Sequence, residues 1–361
     1  MRKKEREEVD VLFVRASSTP GLVRCEDQLE KMLGASGVSV ASTTPDYSAL
    51  RQFEIAYPLI DYVQVIAMSR AVRRSLRFVS PRVYLFSTSM SALLQPSSRL
   101  SRSAVRFDAL VRENRPRLRN FVQRRLERRV LSRALMLSPT SLHDVVSRKD
   151  LPVSKVSPLP IAIQPSLCAG GERSNDALCY ASGPHAWTKG LDTIVSAWCL
   201  LGLQEDILHV VGVDEADGLR FLRDHGIACP PNVDWHGFVP SEAFRELMSR
   251  CFIYISASRY EAYGMAQLEA LAEGCLLATT PSAGPYEALS ILRSTGVAGV
   301  AESHDPASLA AALRDLRALD PFAVAEYRGI ASEVMSRYTE SSVVKMVHEQ
   351  VLPRMGLGGD R

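Results

Sequence analysis

No run of apolar residues in this 361-residue sequence approaches the roughly 18 that a membrane-spanning helix needs. The opening residues, MRKKEREEVD, also lack the apolar segment of a signal peptide. We therefore expect a cytoplasmic protein. Hydrophobic residues make up 46% of the chain and charged residues 23%, which excludes a disordered or fibrous protein and fits a globular protein of about two domains.

Paired cysteines and clustered histidines are missing as well. The seven cysteines include no two at the spacing of a zinc finger or redox motif, and their odd number argues against a disulfide framework. The seven histidines are scattered, and no Asp-x-Asp motif occurs. We therefore predict reduced cysteines and no metal site.

Acidic residues are scarce in the first half of the chain only. Residues 1–165 contain 28 Lys plus Arg against 15 Asp plus Glu, whereas residues 166–361 contain 15 against 25. This asymmetry predicts two domains, of which the basic one faces an anionic partner: a phosphate-bearing substrate, a nucleic acid or a membrane surface.

The arginines are densest in a basic amphipathic helix predicted within residues 112–135. Arginines fill the positions opposite a set of apolar residues, namely Leu118, Phe121, Val122, Leu126 and Val130. Two interpretations remain open. The helix either contacts an anionic membrane peripherally, at its inner face, or packs on the core with a solvated outer face.

Apolar runs typical of strands alternate with helical periodicity through both halves, which predicts parallel sheets with flanking helices. Candidate strands are VDVLFVRA, VSVAST, RVYLFST and ALMLSPTS in the first half, and ALCYASG, DILHVVG, NVDWHG, FIYISAS and CLLATT in the second. A stretch rich in Pro, Ser and Gly precedes the second series, so we place the linker at 163–175. The predicted domains are 1–165 and 166–337, and the helix at 338–361 is expected to pack back on the first.

One stretch of the second half, SRYEAYGMAQLEALAEG, carries two glutamates eight positions apart. Glu261 follows the strand FIYISAS and is expected in a loop, whereas Glu269 lies in the helix that begins near Gly264. The first backbone N–H groups of this helix, around Gly264 and Met265, favour an anion. The stretch therefore suits the two ends of one long ligand with a phosphate between them.

Two more strand-to-helix turns of the second half have the same layout. SGPHAWTKGLDT places Lys189 near a helix start, where it can neutralise a departing phosphate. TTPSAGPYEAL places Gly284 at a third junction. Because ligands of doubly wound sheets bind beyond the carboxyl ends of the strands, we expect all three turns to line one cleft.

These segments resemble the retaining, GT-B-fold glycosyltransferases of family 4, also called glycosyl transferases group 1. SRYEAYGMAQLEALAEG is similar to the E-x7-E region of that family, and TKGLDTIVSAW and NVDWHGFVPSEAFRELMSRC are similar to two further segments. The resemblance spans residues 177–310 and is much weaker before residue 165. It implies an α/β GT-B fold, in which two doubly wound Rossmann-like domains face each other across a cleft. The first domain would bind the acceptor and the second the nucleotide-sugar donor.

The resemblance also implies roles for individual residues. Glu261 would bind hydroxyls of the transferred sugar, Glu269 the ribose, and Lys189 the diphosphate. Backbone groups would hold the rest of the donor near Gly264, Met265 and Val239.

The implied reaction moves a sugar from a nucleotide-diphosphate sugar, a UDP- or GDP-sugar, to an acceptor hydroxyl with retention at the anomeric carbon. In the front-face mechanism of this family the departing phosphate takes the acceptor's proton. No cofactor and no metal are required, because Lys189 and helix N-termini neutralise the diphosphate. The implied acceptor is a growing glycan or a lipid-linked glycan.

The chain departs from the family at three places. Gly183 and Pro184 stand where an arginine is common, so His185 or an arginine of the first domain is expected to substitute. No histidine occurs at a strand end of the first domain, which makes Asp108 or Arg106 in VRFDA a candidate for facing the acceptor or sugar, with a structural capping role as the alternative for Asp108. The glycine pair of the first-domain loop is reduced to Gly21.

A nucleic-acid-binding or anionic-surface-binding protein is the alternative that the arginine-rich first half suggests. Its basic stretches contain few aromatic residues and no recognisable reading motif, so no nucleic-acid partner is expected. The segment GPHAWTKG is also a near miss for a P-loop, because Thr188 stands where that loop needs its second glycine.

Overall fold

The computed structural model describes residues 6–47, 59–114, 120–143, 151–164 and 173–358. The chain divides into two units, one formed by Met1–Ala162 with Glu340–Arg361 and the other by Ile163–Thr339.

Unit 1 is built on a parallel sheet of five strands in the order β2-β1-β3-β4-β5. Its strands are β1 (Glu7–Val14), β2 (Val40–Thr43), β3 (Val79–Phe86), β4 (Ser103–Phe107) and β5 (Met136–Pro139). Its helices before the linker are α1 (Pro20–Ala35), α2 (Leu59–Ser75), α3 (Ser89–Ala92), α4 (Ser97–Leu100), α5 (Val111–Asn114) and α6 (Phe121–Arg133).

Strand β1 shows why this sheet carries helices on both faces. Successive side chains of a strand point to opposite faces. Val11 and Phe13 belong to one buried cluster, whereas Leu12 and Val14 belong to another. Burying each such side chain contributes about 1.5–3 kcal/mol, so the near-continuous apolar run favours a central strand covered on both sides.

The end of the chain returns to unit 1. It forms α15 (Glu340–Met346), a π-helical stretch at Val347–Val351 and α16 (Leu352–Arg354). Its apolar side chains Val343 and Val347 join the cluster that also contains Leu29 of α1. This segment therefore completes the cover of one sheet face.

Unit 2 is built on a second parallel sheet of five strands, in the order β10-β9-β6-β7-β8. Its strands are β6 (Ser174–Tyr180), β7 (Leu208–Val211), β8 (Val233–Gly237), β9 (Cys251–Ser256) and β10 (Leu276–Thr279). Its helices are α7 (Ala186–Lys189), α8 (Leu191–Leu201), α9 (Glu215–Asp224), α10 (Ser241–Arg250), α11 (Met265–Glu273), α12 (Glu287–Thr295), α13 (Pro306–Arg317) and α14 (Pro321–Met335).

The predicted alternation of strands and helices is confirmed, and every candidate strand forms. The prediction missed strand β4, which is short and fully buried, and helix α2. Most of the predicted linker lies outside the described residues, at 165–172. In the described part of the chain no helix is both long and apolar enough to span a membrane.

Helix α6 differs from its predicted pattern. Val130 is buried, but Phe121 and Val122 are 58% and 52% exposed. The helix instead buries the polar residue Glu127, whose carboxylate accepts hydrogen bonds from the backbone N–H of Val111 at 2.9 and 3.0 Å. Satisfying this backbone group fixes the rotation of the helix, because a buried N–H without a partner is costly. Leu118 lies outside the described residues.

Candidate functional site

The candidate site lies where the strand order of the second sheet reverses. Strand β6 is the first strand of unit 2, and its neighbours β9 and β7 continue the chain in opposite directions across the sheet. Ligands of such sheets bind beyond the carboxyl ends of the strands at this reversal. Lys189 is the last residue of α7, the short helix that follows β6, and Glu261 lies in the loop after β9.

Lys189 and Glu261 form an ion pair. Lys189 Nζ lies 2.7 Å from Glu261 Oε2, and their side chains are 27% and 11% exposed. The two residues are 72 positions apart in sequence, so the fold brings them together. A partly buried pair of this kind leaves a cation and an anion facing the same space, where a ligand with a phosphate and hydroxyl groups has partners of both signs.

Two further donors converge on the same oxygen of Glu261. Ser258 Oγ donates at 3.2 Å and Gln267 Nε2 at 3.4 Å, both to Oε2. Gln267 Nε2 also donates to Ser256 Oγ at 2.9 Å. Within the described residues the donors thus meet at Oε2, which leaves Oε1 to accept from a ligand hydroxyl.

Gly190 explains how Lys189 comes so close to the loop after β9. Gly190 has φ of +73°, and a Cβ at this position would lie 1.9 Å from the carbonyl oxygen of Ala257. Only glycine fits this approach. The backbone N–H of Arg259 also donates to the carbonyl of Thr188 at 2.8 Å, which joins the two loops directly.

Helix α11 begins beside this pair. Its N-cap is Gly264, which has φ of +87° and offers no side chain to cap the first turn. A Cβ on Gly264 would lie 2.6 Å from the ring of Tyr286, a buried side chain whose hydroxyl bonds Thr279 Oγ1. Burial raises the pKa of Tyr286, so the hydroxyl stays protonated. The helix N-terminus therefore presents backbone and partial positive charge, which favours an anion.

The loop after β10, which contains Gly284, supports the loop after β9, which contains Glu261. The backbone N–H of Glu261 donates to the carbonyl of Ala283 at 3.0 Å. Gly284 has φ of +99°, and a Cβ there would lie 2.4 Å from the carbonyl oxygen of Glu261. Glycine at 284 thus allows the loop after β10 to hold Glu261 in place.

The remaining predicted residues of unit 2 lie on α11, on the loop after β8 and on the turn before α7. Glu269 is buried in α11, and Met265 is the first residue of that helix. Val239 is half-buried in the loop after β8, beside the fully exposed ring of Phe238. Gly183 and His185 form an exposed turn just before α7.

Two predicted residues belong to unit 1. Gly21 lies in the exposed first turn of α1, and a Cβ added there would meet no atom within 4 Å. Asp108 follows β4, is exposed, and accepts from the backbone N–H of Ala109 at 2.7 Å.

Sequence reasoning missed Arg259, which fixes the loop next to Glu261. Its guanidinium makes two bonds to the carboxylate of Asp192, at 2.9 and 2.6 Å, and lies 3.5 Å above the ring of Trp187. Such a paired and stacked arginine is strongly oriented. The only signal in the sequence was its position two residues before Glu261.

Residues 175–318, about two fifths of the chain, match the model of the family described as Glycosyl transferases group 1. This segment contains Lys189, Glu261, Glu269 and Gly284. No curated protein matches the sequence.

Solved structures with this architecture cover almost the entire chain. Sucrose-phosphate synthase from Thermosynechococcus elongatus superposes with a TM-score of 0.71 at 14% identity, over 97% of this chain and 99% of the synthase. A glycosyltransferase from Rickettsia africae gives 0.69 at 12% identity, over 98% and 99%. Anabaena HepE, in complex with UDP and glucose, gives 0.67 at 14% identity, over 96% and 100%.

The two five-stranded parallel sheets with flanking helices form the α/β architecture of the GT-B fold, as predicted. Together with the family match, this fold indicates a glycosyltransferase.

Proposed function

We propose that this protein is a retaining, family 4 type glycosyltransferase that moves a sugar from a nucleotide-diphosphate sugar to an acceptor hydroxyl. The observation that carries the proposal is the ion pair between Lys189 and Glu261 at the reversal of the strand order. A donor substrate would separate this pair, because its diphosphate attracts the ammonium and its sugar hydroxyls donate to the carboxylate.

Lys189 would stabilise the departing nucleoside diphosphate. Cleavage of the bond between the anomeric carbon and the phosphate oxygen leaves an additional negative charge on that oxygen. An oriented ammonium that is only 27% exposed stabilises such a charge more strongly than water does. In a front-face mechanism the same phosphate oxygen accepts the proton of the attacking hydroxyl, so no protein nucleophile is needed.

Glu261 and Glu269 would hold the two ends of the donor. Glu261 lies in the loop next to Lys189 and would accept from sugar hydroxyls through Oε1, while Ser258 and Gln267 orient its other oxygen. Glu269 follows on α11 and would bind the ribose. Gly264 and Met265, at the start of the same helix, would contact the phosphates between them.

The other predicted residues take supporting roles in this proposal. Val239 would contact the base or sugar, and Gly183 and His185 would lie along the diphosphate in place of the family arginine. Gly284 holds the loop of Glu261. Gly21 and Asp108 would act from unit 1, which we assign to acceptor binding.

We infer that the reaction needs no divalent cation. The ammonium of Lys189 and the N-terminus of α11, where Gly264 provides no capping side chain, would supply the positive charge that a Mg²⁺ ion otherwise gives to a diphosphate. Turnover that is unchanged by EDTA supports this inference, and turnover that returns only with added Mg²⁺ or Mn²⁺ contradicts it.

UDP-sugars are the first donors to test, since HepE binds UDP and glucose, and GDP-sugars are the second. The acceptor class we propose is a growing or lipid-linked glycan.

Helix α6 favours peripheral contact with an anionic membrane, because Phe121 and Val122 are exposed together with Arg125 and Arg128.

The experiment that tests the proposal is a panel of UDP- and GDP-sugars, followed by donor hydrolysis, binding and the anomeric configuration of the product. Lys189→Ala should lower kcat by about 10²–10³-fold while the protein stays folded. Glu261→Ala should weaken donor binding, with a smaller loss for UDP alone.

Lys345→Ala and Glu333→Ala are matched controls, because both side chains are exposed and lie on helices remote in sequence from the site. Both should behave as the wild type. Failure to bind or turn over any sugar nucleotide in the panel would contradict the proposal. A product with inverted configuration at the anomeric carbon would contradict the proposed retention.

A further inference from the structure

We propose that His209, Asp234 and His236 form a binding site for one divalent transition-metal ion of the Zn²⁺ class. These residues lie on β7 and β8, two neighbouring strands of the second sheet. His209 is the direct partner of Asp234 in the strand register, and His236 lies two residues further along β8. The register is irregular at this point, since Val210 pairs with Trp235 and Val211 with Gly237, and His236 lies in the irregularity with its ring beside that of His209.

Their ligand atoms form a nearly regular triangle. His209 Nδ1 lies 2.9 Å from His236 Nε2 and 3.4 Å from Asp234 Oδ2, and His236 Nε2 lies 3.3 Å from the same Asp234 oxygen. Ligands bound at about 2.0–2.1 Å to a tetrahedral Zn²⁺ are separated from each other by about 3.3–3.4 Å. A metal ion above this triangle thus reaches all three atoms with little movement of the side chains.

The ligand types suit metal binding. Each imidazole offers a ring nitrogen, and Asp234, whose side chain is 53% exposed, offers a carboxylate oxygen. Two imidazoles and one carboxylate favour Zn²⁺ and related ions, whereas Mg²⁺ and Ca²⁺ prefer sets of oxygen ligands.

A second carboxylate lies near the first histidine. The other ring nitrogen of His209, Nε2, lies 3.7 Å from Asp176 Oδ2 on strand β6, somewhat beyond hydrogen-bond distance. Asp176 is itself positioned by the backbone N–H of Ile207, which donates to Oδ1 at 2.8 Å. Histidines that bind metal commonly direct their second nitrogen to a carboxylate, which fixes the ring and raises its basicity.

This cluster shares no residue with the proposed donor site. His209 is the second residue of β7 and His236 the last but one of β8, whereas Lys189 and Glu261 follow the carboxyl ends of β6 and β9. A bound ion would connect β8, an edge strand, to β7. Its expected effect is therefore on the stability of unit 2 and not on the chemical step.

Zinc binding can be measured on full-length protein without a histidine tag, after removal of metals with a chelator. We expect one Zn²⁺ per chain in a titration against a chromophoric competitor, and an increase in Tm on addition of Zn²⁺. Co²⁺ should give the intense visible absorption of a tetrahedral site.

Three variants locate the site. His236→Gln and Asp234→Asn should each weaken Zn²⁺ binding by more than about 10-fold, and Asp176→Asn, which changes only the partner of His209, by about 10-fold. His348→Gln is the control, because His348 is an exposed histidine in unit 1. Asp234→Asn is expected to fold normally because its side chain is half exposed.

Two results would overturn the proposal. One is the absence of stoichiometric Zn²⁺ binding in the wild type, which would leave only a hydrogen bond between His209 and His236. The other is unchanged Zn²⁺ affinity in both His236→Gln and Asp234→Asn, which would place the bound ion elsewhere. Neither result bears on sugar transfer, which is assayed separately.

Discussion

The segments that follow β1 in unit 1 and β6 in unit 2 have the same position in their sheets, but a carboxylate occupies the first and a cation lies in the second. After β1, the buried carboxylate of Glu26 accepts from the backbone N–H groups of Ala16 and Ser17 and from Ser17 Oγ. After β6, the short helix α7 ends in Lys189, a cation that pairs with Glu261. In unit 1 a carboxylate of the protein thus accepts from the backbone donors of the loop, whereas in unit 2 the corresponding segment presents a cation, and Gly190 allows it to approach the loop after β9 closely.

The helices α1 and α11, which follow β1 and β9, also differ at their N-termini. Helix α1 is capped by Thr19, whose side chain accepts from the N–H of Leu22, whereas α11 is capped by Gly264 without any side-chain bond. A shared architecture therefore supplies two similar strand-to-helix turns, and the residues at the turn decide which of them favours an anion.

The largest effect on stability is expected for Glu26→Ala, which removes the carboxylate from the loop after β1. The substitution leaves the N–H of Ser17 without its acceptor and leaves the N–H of Ala16 with Ser87 Oγ alone. It also removes a partner of Ser17 Oγ and of Arg15, so we expect a loss of about 3 kcal/mol in the free energy of unfolding of unit 1. Urea denaturation measures this loss, and the affinity for UDP should not change. A large loss of UDP affinity in folded Glu26→Ala would show that the loop of unit 1 also binds the donor.

Gly264→Ala and Gly21→Ala compare the two helix starts. Alanine at 264 must adopt φ of +87° and contacts the Tyr286 ring, so we expect a loss of about 2 kcal/mol and weaker binding of UDP. Alanine at 21 meets open space in a helical turn and should raise stability by about 0.4–1 kcal/mol. Thermal denaturation with and without UDP measures both effects. Equal changes in stability and in UDP binding for the two variants would contradict the proposed difference between the N-termini of α1 and α11.

The smallest expected change in stability is that of Phe121→Ser combined with Val122→Ser. Both side chains are exposed on α6, so the free energy of unfolding should stay within about 0.5 kcal/mol of the wild type. Flotation with anionic vesicles should nevertheless decrease if this face contacts a membrane. Neutral vesicles serve as the control, and unchanged flotation with anionic vesicles would favour the solvated interpretation of α6.

Local patterns were sufficient to predict the architecture. Strands such as β1 and β9 are apolar runs bounded by turn residues, and helices follow them with regular spacing, so periodicity alone identifies them. The loops of Lys189 and Glu261 were predictable because each follows a strand directly, and parallel strands bring their carboxyl ends to one edge.

Contacts between distant side chains were not predictable in this way. The pair of Arg259 and Asp192 spans 67 positions, and the bond between His209 and His236 spans 27. Helix α6 shows the same limit, since its hydrophobic pattern placed Phe121 inward whereas the buried carboxylate of Glu127 determines its rotation.

The alternation of strands and helices, the charge difference between the two halves and the glycines at the turns can be read from neighbouring residues in the sequence. The folded chain is needed to bring Lys189 to Glu261, Glu26 to the loop after β1, and the rings of His209 and His236 to the carboxylate of Asp234. Strand order and register decide which distant side chains share an edge or a face, and these are fixed by packing of the whole sheet.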